Sequence, residues 1–233
     1  PSEGLADALA ERGIRIVEDG AQSQGATRFG RAAGTFGALA ATSFYPGKNL
    51  GAYGDAGAVL TDDEELARHV RLLGAHGSPS KYRHTEIGFN SRLDTLQAVV
   101  LRAKLRRLPR WNEERRAAAS VYDRLLGATA GVRLPVTLPG NEHVWHLYVV
   151  RVDRRDQVLR MMQSEGVGAG VHYPVPIHLT PAMAGLGYGP GRFPVAERAA
   201  GQILSLPMFP GITVAQQERV AQVLAAALGQ GPA

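Results

Sequence analysis

Ile14-Arg15-Ile16-Val17-Glu18-Asp19-Gly20-Ala21-Gln22 decides the fold. A β-branched run that ends in two acids and a glycine reads as a strand leading into a turn. Before it, Leu5, Ala8 and Leu9 repeat at helical spacing and Gly13 supplies a stop, which predicts a helix over residues 2–12. After it, Ala38 to Tyr45 and Ala56 to Leu60 read as two further strands. Asp62, with Glu65 three positions on, then reads as the capping box of a new helix. Helix, strands and helix joined by glycine-rich links predict an α/β sheet, largely parallel. In such sheets ligands gather at the carboxyl ends of the strands, where Asp19 stands.

Downstream, Leu93, Leu96, Gln97, Val100, Leu101, Leu105 and Leu108 form one stripe of a helix from about Ser91 to Leu108, which Pro109 interrupts. A second helix is expected from Trp111 to Leu126. The remainder reads as strand (Val144 to Val152), helix (Arg154 to Glu165, stopped by Gly166), strand (Val167 to Tyr173) and a helix over Thr213 to Leu228 with a Thr213/Gln216 capping box. This is a small α+β unit. The expected division is residues 1–112 and 113–233, the second part opening with the linking helix.

The chain has 233 residues, of which 45% are hydrophobic, and no cysteine, so disulfides and thiolate metal sites are excluded. Its longest apolar runs, Gly37 to Thr42 and Val223 to Leu228, fall far short of the roughly 20 residues of a spanning helix. A cytoplasmic protein without membrane contact is expected. The net charge of +5 is densest at Arg102, Lys104, Arg106, Arg107 and Arg110. No stacking aromatics interleave with that cluster, so a solvated helix face is favoured over nucleic acid.

Three stretches carry chemistry. Asp19, with Gln22 three residues on, suits a cationic partner at a strand end, although Asp after a strand is commonly a turn former. In Ser43-Phe44-Tyr45-Pro46-Gly47-Lys48-Asn49-Leu50-Gly51 a lysine follows a strand on a Pro-Gly turn, five residues after a hydroxyl. Such an amine can become a nucleophile toward a carbonyl when its proton is easily lost, whereas most loop lysines are simply solvated. Gly88-Phe89-Asn90-Ser91-Arg92-Leu93-Asp94 opens the long helix, where free N–H groups favour phosphate, or where Asn90 or Ser91 simply caps.

In order along the chain, these stretches resemble the DegT/DnrJ/EryC1/StrS sugar aminotransferases, and so do Trp145-His146-Leu147-Tyr148, His172-Tyr173-Pro174-Val175-Pro176-Ile177-His178 and Leu204-Ser205-Leu206-Pro207. The likeness runs from about residue 10 to residue 228. It implies a fold-type I, pyridoxal 5'-phosphate (PLP)-dependent transferase: a large α/β/α domain plus a small C-terminal α+β domain. By the resemblance Lys48 would hold PLP as an imine and carry the proton, and Asp19 would pair with the pyridine nitrogen. Gln22 would sit beside the ring, and Ser43 would bind the phosphate with Asn90 from the partner subunit of a homodimer. Arg92, His172, Tyr173 and His178 would contact the sugar nucleotide, with a structural role open for the histidines. The implied reaction passes an amino group from L-glutamate to a nucleotide-linked keto-deoxysugar, at C3 by its closest motifs. Gly20 replaces the family's usual alanine. The family's earlier phosphate-binding turn has no counterpart here, so the chain is expected to begin inside the large domain. The rivals are a sugar dehydratase on the same fold, against which Lys48 argues because those carry histidine there, and a catalytically silent regulatory or structural paralogue.

Overall fold

The computed structural model describes residues 4–229. In chain order these carry α1 (Leu5–Ala10), β1 (Val17–Asp19), β2 (Thr27–Arg28), β3 (Arg31–Ala32), β4 (Leu39–Ser43), β5 (Gly57–Leu60), α2 (Glu64–Gly74), α3 (Thr95–Leu105) and α4 (Leu108–Leu126). There follow β6 (Val132–Arg133), β7 (Asn141–Glu142), β8 (Tyr148–Val152), α5 (Arg155–Ser164), two short 3-10 turns, α6 (Pro194–Ala200), β9 (Ile203–Leu206) and α7 (Val214–Ala227). The chain divides into two compact units. One runs to Glu113 and takes back Thr137–His146; the other holds Glu114–Val136 and continues from Leu147.

In the first unit β4 lies between β1 and β5. β1 and β4 are parallel, with Asp19 opposite Ala41, so Asp19 and Ser43 emerge at the same end of neighbouring strands. β5 is antiparallel to β4, with Gly57 opposite Ser43, which corrects the largely parallel expectation. Strand direction leaves no mark on a four-residue apolar pattern. The middle of β1 does structural work: the Glu18 carboxylate accepts from the backbone N–H of Gly34 (2.9 Å), Phe36 and Gly37 (2.7 Å), tying the loop ahead of β4 to β1. A second small sheet, β3-β2-β7, was not foreseen; its hairpin turns through Phe29 and Gly30, both at positive φ.

Two caps differ from expectation. Asp63, not Asp62, caps α2 and accepts from Glu65 N and Leu66 N. Asp94, not Asn90 or Ser91, caps α3, so that helix begins at Thr95. The segment before it is extended instead, bonding along the end of α2 through Phe89 N to Leu73 O and Ser91 N to Gly74 O. Only part of the expected stripe is buried. Leu101 and Leu108 pack with Leu50 and Ala52, while Leu96 and Leu105 are 75% and 54% exposed. Pro109 sits in the first turn of α4, where its missing N–H costs nothing, so the break falls at Arg106 and Arg107. Of the helix expected over residues 2–12, residues 2 and 3 lie outside the described range, and α1 ends before Gly13 at positive φ.

The second unit folds around Tyr122, Leu126, Tyr148, Met162, Leu204 and Leu224, all fully buried. β8 is the centre of an antiparallel β6-β8-β9 sheet. Three polar side chains that enter this core are paired, as burial demands. Tyr122 Oη donates to Pro207 O (2.8 Å), Tyr148 Oη to Asp123 Oδ1 (2.6 Å) and Gln217 Nε2 to Ala118 O (2.7 Å). Burial first, then the Asp123 hydrogen bond, pushes the Tyr148 phenol upward. α7 opens with the expected reciprocal box between Thr213 and Gln216. The strand expected over Val167 to Tyr173 is reduced to one bridge, Gly170 with Ser205, and β9 takes the place beside β8.

Candidate active site

Four of the expected residues, Asp19, Gln22, Ser43 and Lys48, lie at or just beyond the first unit's strand ends. Lys48 closes a turn with its N–H on Tyr45 O (2.8 Å). Gly51 is needed just beyond, because a Cβ there would collide with Pro46 O. Lys104 Nζ fastens the same stretch by donating to Gly51 O (2.6 Å) while lying 4.4 Å over the Tyr53 ring. Lys48 itself is half-buried and its amine has no hydrogen-bond or ion-pair partner among the described residues. Ser43 Oγ accepts from Tyr45 N (3.2 Å), which leaves the hydroxyl proton to give.

Asp19 accepts from Ala21 N through Oδ1 (3.0 Å), which fixes the carboxylate and keeps Oδ2 available. From strand spacing and rise, the Cα atoms of Asp19 and Ser43 stand roughly 8 Å apart. Asp19 and Gln22 line one cavity of about 310 Å³ together with Thr27, Arg28, Phe36 and His143. His143 escaped the sequence reading. Its Nδ1 accepts from Trp145 N (2.8 Å), so the neutral ring carries its proton on Nε2, and burial lowers its pKa. No motif marks it; only the return of residues 137–146 to this unit brings it in.

Asn90 and Arg92 are exposed and bonded to each other, Arg92 Nη2 to Asn90 Oδ1 at 3.1 Å. The other expected residues belong to the second unit. His172 shares a hydrogen bond with Ser205 Oγ through Nδ1 (2.8 Å), and Tyr173 is 65% exposed with its ring edge-on to His172. His178 is buried, packs edge-on against Phe193 (4.8 Å between centroids) and meets Glu197 Oε1 through Nε2 at 3.0 Å. Glu197 Oε1 and Oε2 also receive the N–H groups of Phe193 and Gly191, which, with His178 after them, lower its pKa.

A lysine without a partner, a serine hydroxyl and a carboxylate gathered at adjacent strand ends accord with the family model that matches residues 3–225. The chain belongs to the DegT/DnrJ/EryC1/StrS aminotransferase family. It is 49% identical over 213 residues to a dTDP-3-amino-3,4,6-trideoxy-alpha-D-glucose transaminase of Streptomyces venezuelae, covering 91% of this chain and 56% of that protein. It is 44% identical over 225 residues to a protein of Geobacillus stearothermophilus named pleiotropic regulatory protein, covering 96% of this chain and 60% of that one. The fold matches the crystal structure of S. venezuelae DesV in complex with a ketimine intermediate, with a TM-score of 0.92 and 45% identity, over 97% of this chain and 62% of that chain. This chain thus spans about 60% of the length of these relatives, although nearly all of its own length is matched. Among its described residues no helix is long and apolar enough to cross a membrane, and no group of three or more His, Asp or Glu is placed to hold a metal ion.

Proposed function

We propose that the protein carrying this chain is a PLP-dependent aminotransferase that moves an amino group from L-glutamate to a keto carbon, C3 by its motifs, of a nucleotide-linked deoxysugar. One observation carries the reading: Asp19 and Ser43 end adjacent parallel strands, and the unpartnered amine of Lys48 follows on the next turn. The residues fit the cofactor chemically. Asp19 keeps a carboxylate oxygen free for a protonated ring nitrogen, Ser43 keeps a proton for a phosphate oxygen, and Gln22 presents an amide with no partner among the described residues.

Bound there, PLP supplies the electron sink that makes a carbon acid of an amino substrate. The protein's residues do the rest. Lys48 would hold the cofactor through Nζ and, when released, would carry a proton at that atom. Asp19 holds the ring nitrogen protonated by opposing it with charge. Asn90 reaches the phosphate from the partner subunit of a homodimer. The exposure of Leu96 and Val99 on the neighbouring helix gives an assembly surface apolar material to bury. Arg92, His172 and Tyr173 contact the sugar nucleotide, and His178 acts by holding Glu197 and the loop before α6. A cytoplasmic location belongs to the same proposal.

The pleiotropic regulatory protein supports a second reading, a regulator that keeps the fold without turnover. One experiment separates the two. The protein from its full reading frame is incubated with PLP, reduced with borohydride and mapped by mass spectrometry. A separate, unreduced portion incubated with PLP is given L-glutamate and dTDP- or UDP-linked 3-keto sugars while 2-oxoglutarate is measured. Label on Lys48 with 2-oxoglutarate release supports the enzyme. Label without release under any keto sugar favours the regulator.

A further inference from the structure

Gln24, Asn49 and Asn112 are 25 and 63 residues apart in sequence, yet with His146 they form one directed chain of hydrogen bonds inside the first unit. The direction is forced. Asn49 Nδ2 donates to Val144 O at 2.8 Å and to Asn112 Oδ1 at 3.0 Å, so Asn49 Oδ1 is left to accept from His146 Nδ1 at 3.2 Å. Asn112 then has only Nδ2 to give, and it goes to Gln24 O at 2.9 Å. Gln24 Nε2 continues to Thr42 Oγ1 (2.8 Å), Ser43 O (2.9 Å) and Ala21 O (3.2 Å). Thr42 Oγ1 closes the path on Gly20 O at 3.0 Å.

We infer that this ladder is the device that positions Lys48 against Asp19 and Ser43, with Asn49, Asn112 and Gln24 as positioning residues; the inference rests on the function proposed above. At one end stands the neighbour of Lys48. At the other stand the backbone carbonyls of Gly20 and Ala21, directly after Asp19, and of Ser43 itself. The chain therefore joins the three points from which the cofactor would be held. Asn49 is 6% exposed and Asn112 3%, so each amide is costly unless every donor has a direction to point in. An apolar contact would hold the lysine turn in place but leave its rotation soft. The Asn49 and Asn112 amides, each bonded through both nitrogen and oxygen, fix it. The close approach is built into the backbone as well, since a Cβ on Gly25 would stand 2.7 Å from Asn112 Nδ2.

The test uses the protein from its full reading frame and the three lysines of this chain, Lys48, Lys81 and Lys104. Asn49→Asp and Asn112→Asp keep shape but turn a donor into an acceptor that faces a carbonyl oxygen. Asp63→Ala, which strips the cap of α2, is the control for lost stability alone. PLP is added, borohydride quenches at intervals, and peptide mapping gives the rate of label on each lysine beside the melting temperature. The expected result is at least a roughly tenfold slower label on Lys48 in both Asp variants, with the rate on Lys81 unchanged. Asp63→Ala should melt lower with its Lys48 rate intact. If the Asp variants do not fold, Gln24→Met, which fills the volume without the amide, must give the same selective loss. A native Lys48 rate in any folded ladder variant, or an equal loss in Asp63→Ala, overturns the inference. Absence of label on Lys48 in the unaltered protein overturns the proposed function itself, which is a different outcome.

Discussion

Asn49 Nδ2 donates to Asn112 Oδ1 at 3.0 Å across 63 residues of sequence, and both side chains are buried. Asn49 is the immediate neighbour of Lys48. Stability and reactivity therefore meet at this pair.

Asn49→Ala is expected to destabilise the first unit by about 1–3 kcal/mol, because Asn112 Oδ1 and Val144 O are left buried without a donor. Urea denaturation of the variant beside the unaltered protein measures it, with the midpoint falling at an unchanged slope.

Asp19→Asn should leave the fold intact, since an amide oxygen can still accept from Ala21 N. Transamination should nevertheless fall by orders of magnitude, because a neutral amide cannot keep a ring nitrogen protonated. Steady-state assay with L-glutamate decides it; near-native turnover would reduce Asp19 to a turn former.

Asn90→Ala is expected to weaken PLP binding without unfolding. Mixing it with Lys48→Ala should restore activity above either parent, as one site of a mixed dimer then keeps both native groups. Mixed dimers that stay silent would place Asn90 within its own subunit's site or leave it only its bond to Arg92.

The loop before α6 should be acid-labile. Glu197 has its pKa lowered chiefly by the Gly191 N–H, then by Phe193 and His178, so its folded value lies below the unfolded one. A depressed carboxyl stabilises the fold above the unfolded value, near 4.3, and loses that contribution as pH falls through the folded value. Denaturation between about pH 3 and pH 6 should show this slope. Glu197→Gln should flatten it.

Much of the fold was legible where one residue type decides the outcome. Gly13 and Gly166 end helices at positive φ, and the Thr213/Gln216 box starts one. Legibility failed where several residues compete. Asn90, Ser91 and Asp94 can each cap a helix, and Asp94 prevails because the residues before it are bonded along α2. The direction of β5 and the shrunken strand at 167–173 depend on partners that a local pattern does not contain. For the site, Asp19, Ser43 and Lys48 stand in short runs that can be read directly. His143 and the ladder of Gln24, Asn49, Asn112 and His146 cannot, because polar residues so widely spaced acquire meaning only when folded together.

The ten residues Thr137–His146 belong to the first unit although the chain has already left it at Glu114. The polypeptide thus passes between the units three times. No single cut yields two self-sufficient halves: a protease nick or gene fusion near residue 114 would strand His143, Val144 and His146 on the wrong piece, away from Asn49 and the cavity beside Asp19. In evolutionary terms the C-terminal unit is not a cassette to be swapped among relatives at one crossover. Recombination that changes substrate preference has to take a discontinuous block, or pass through an intermediate whose lysine turn has lost its anchor.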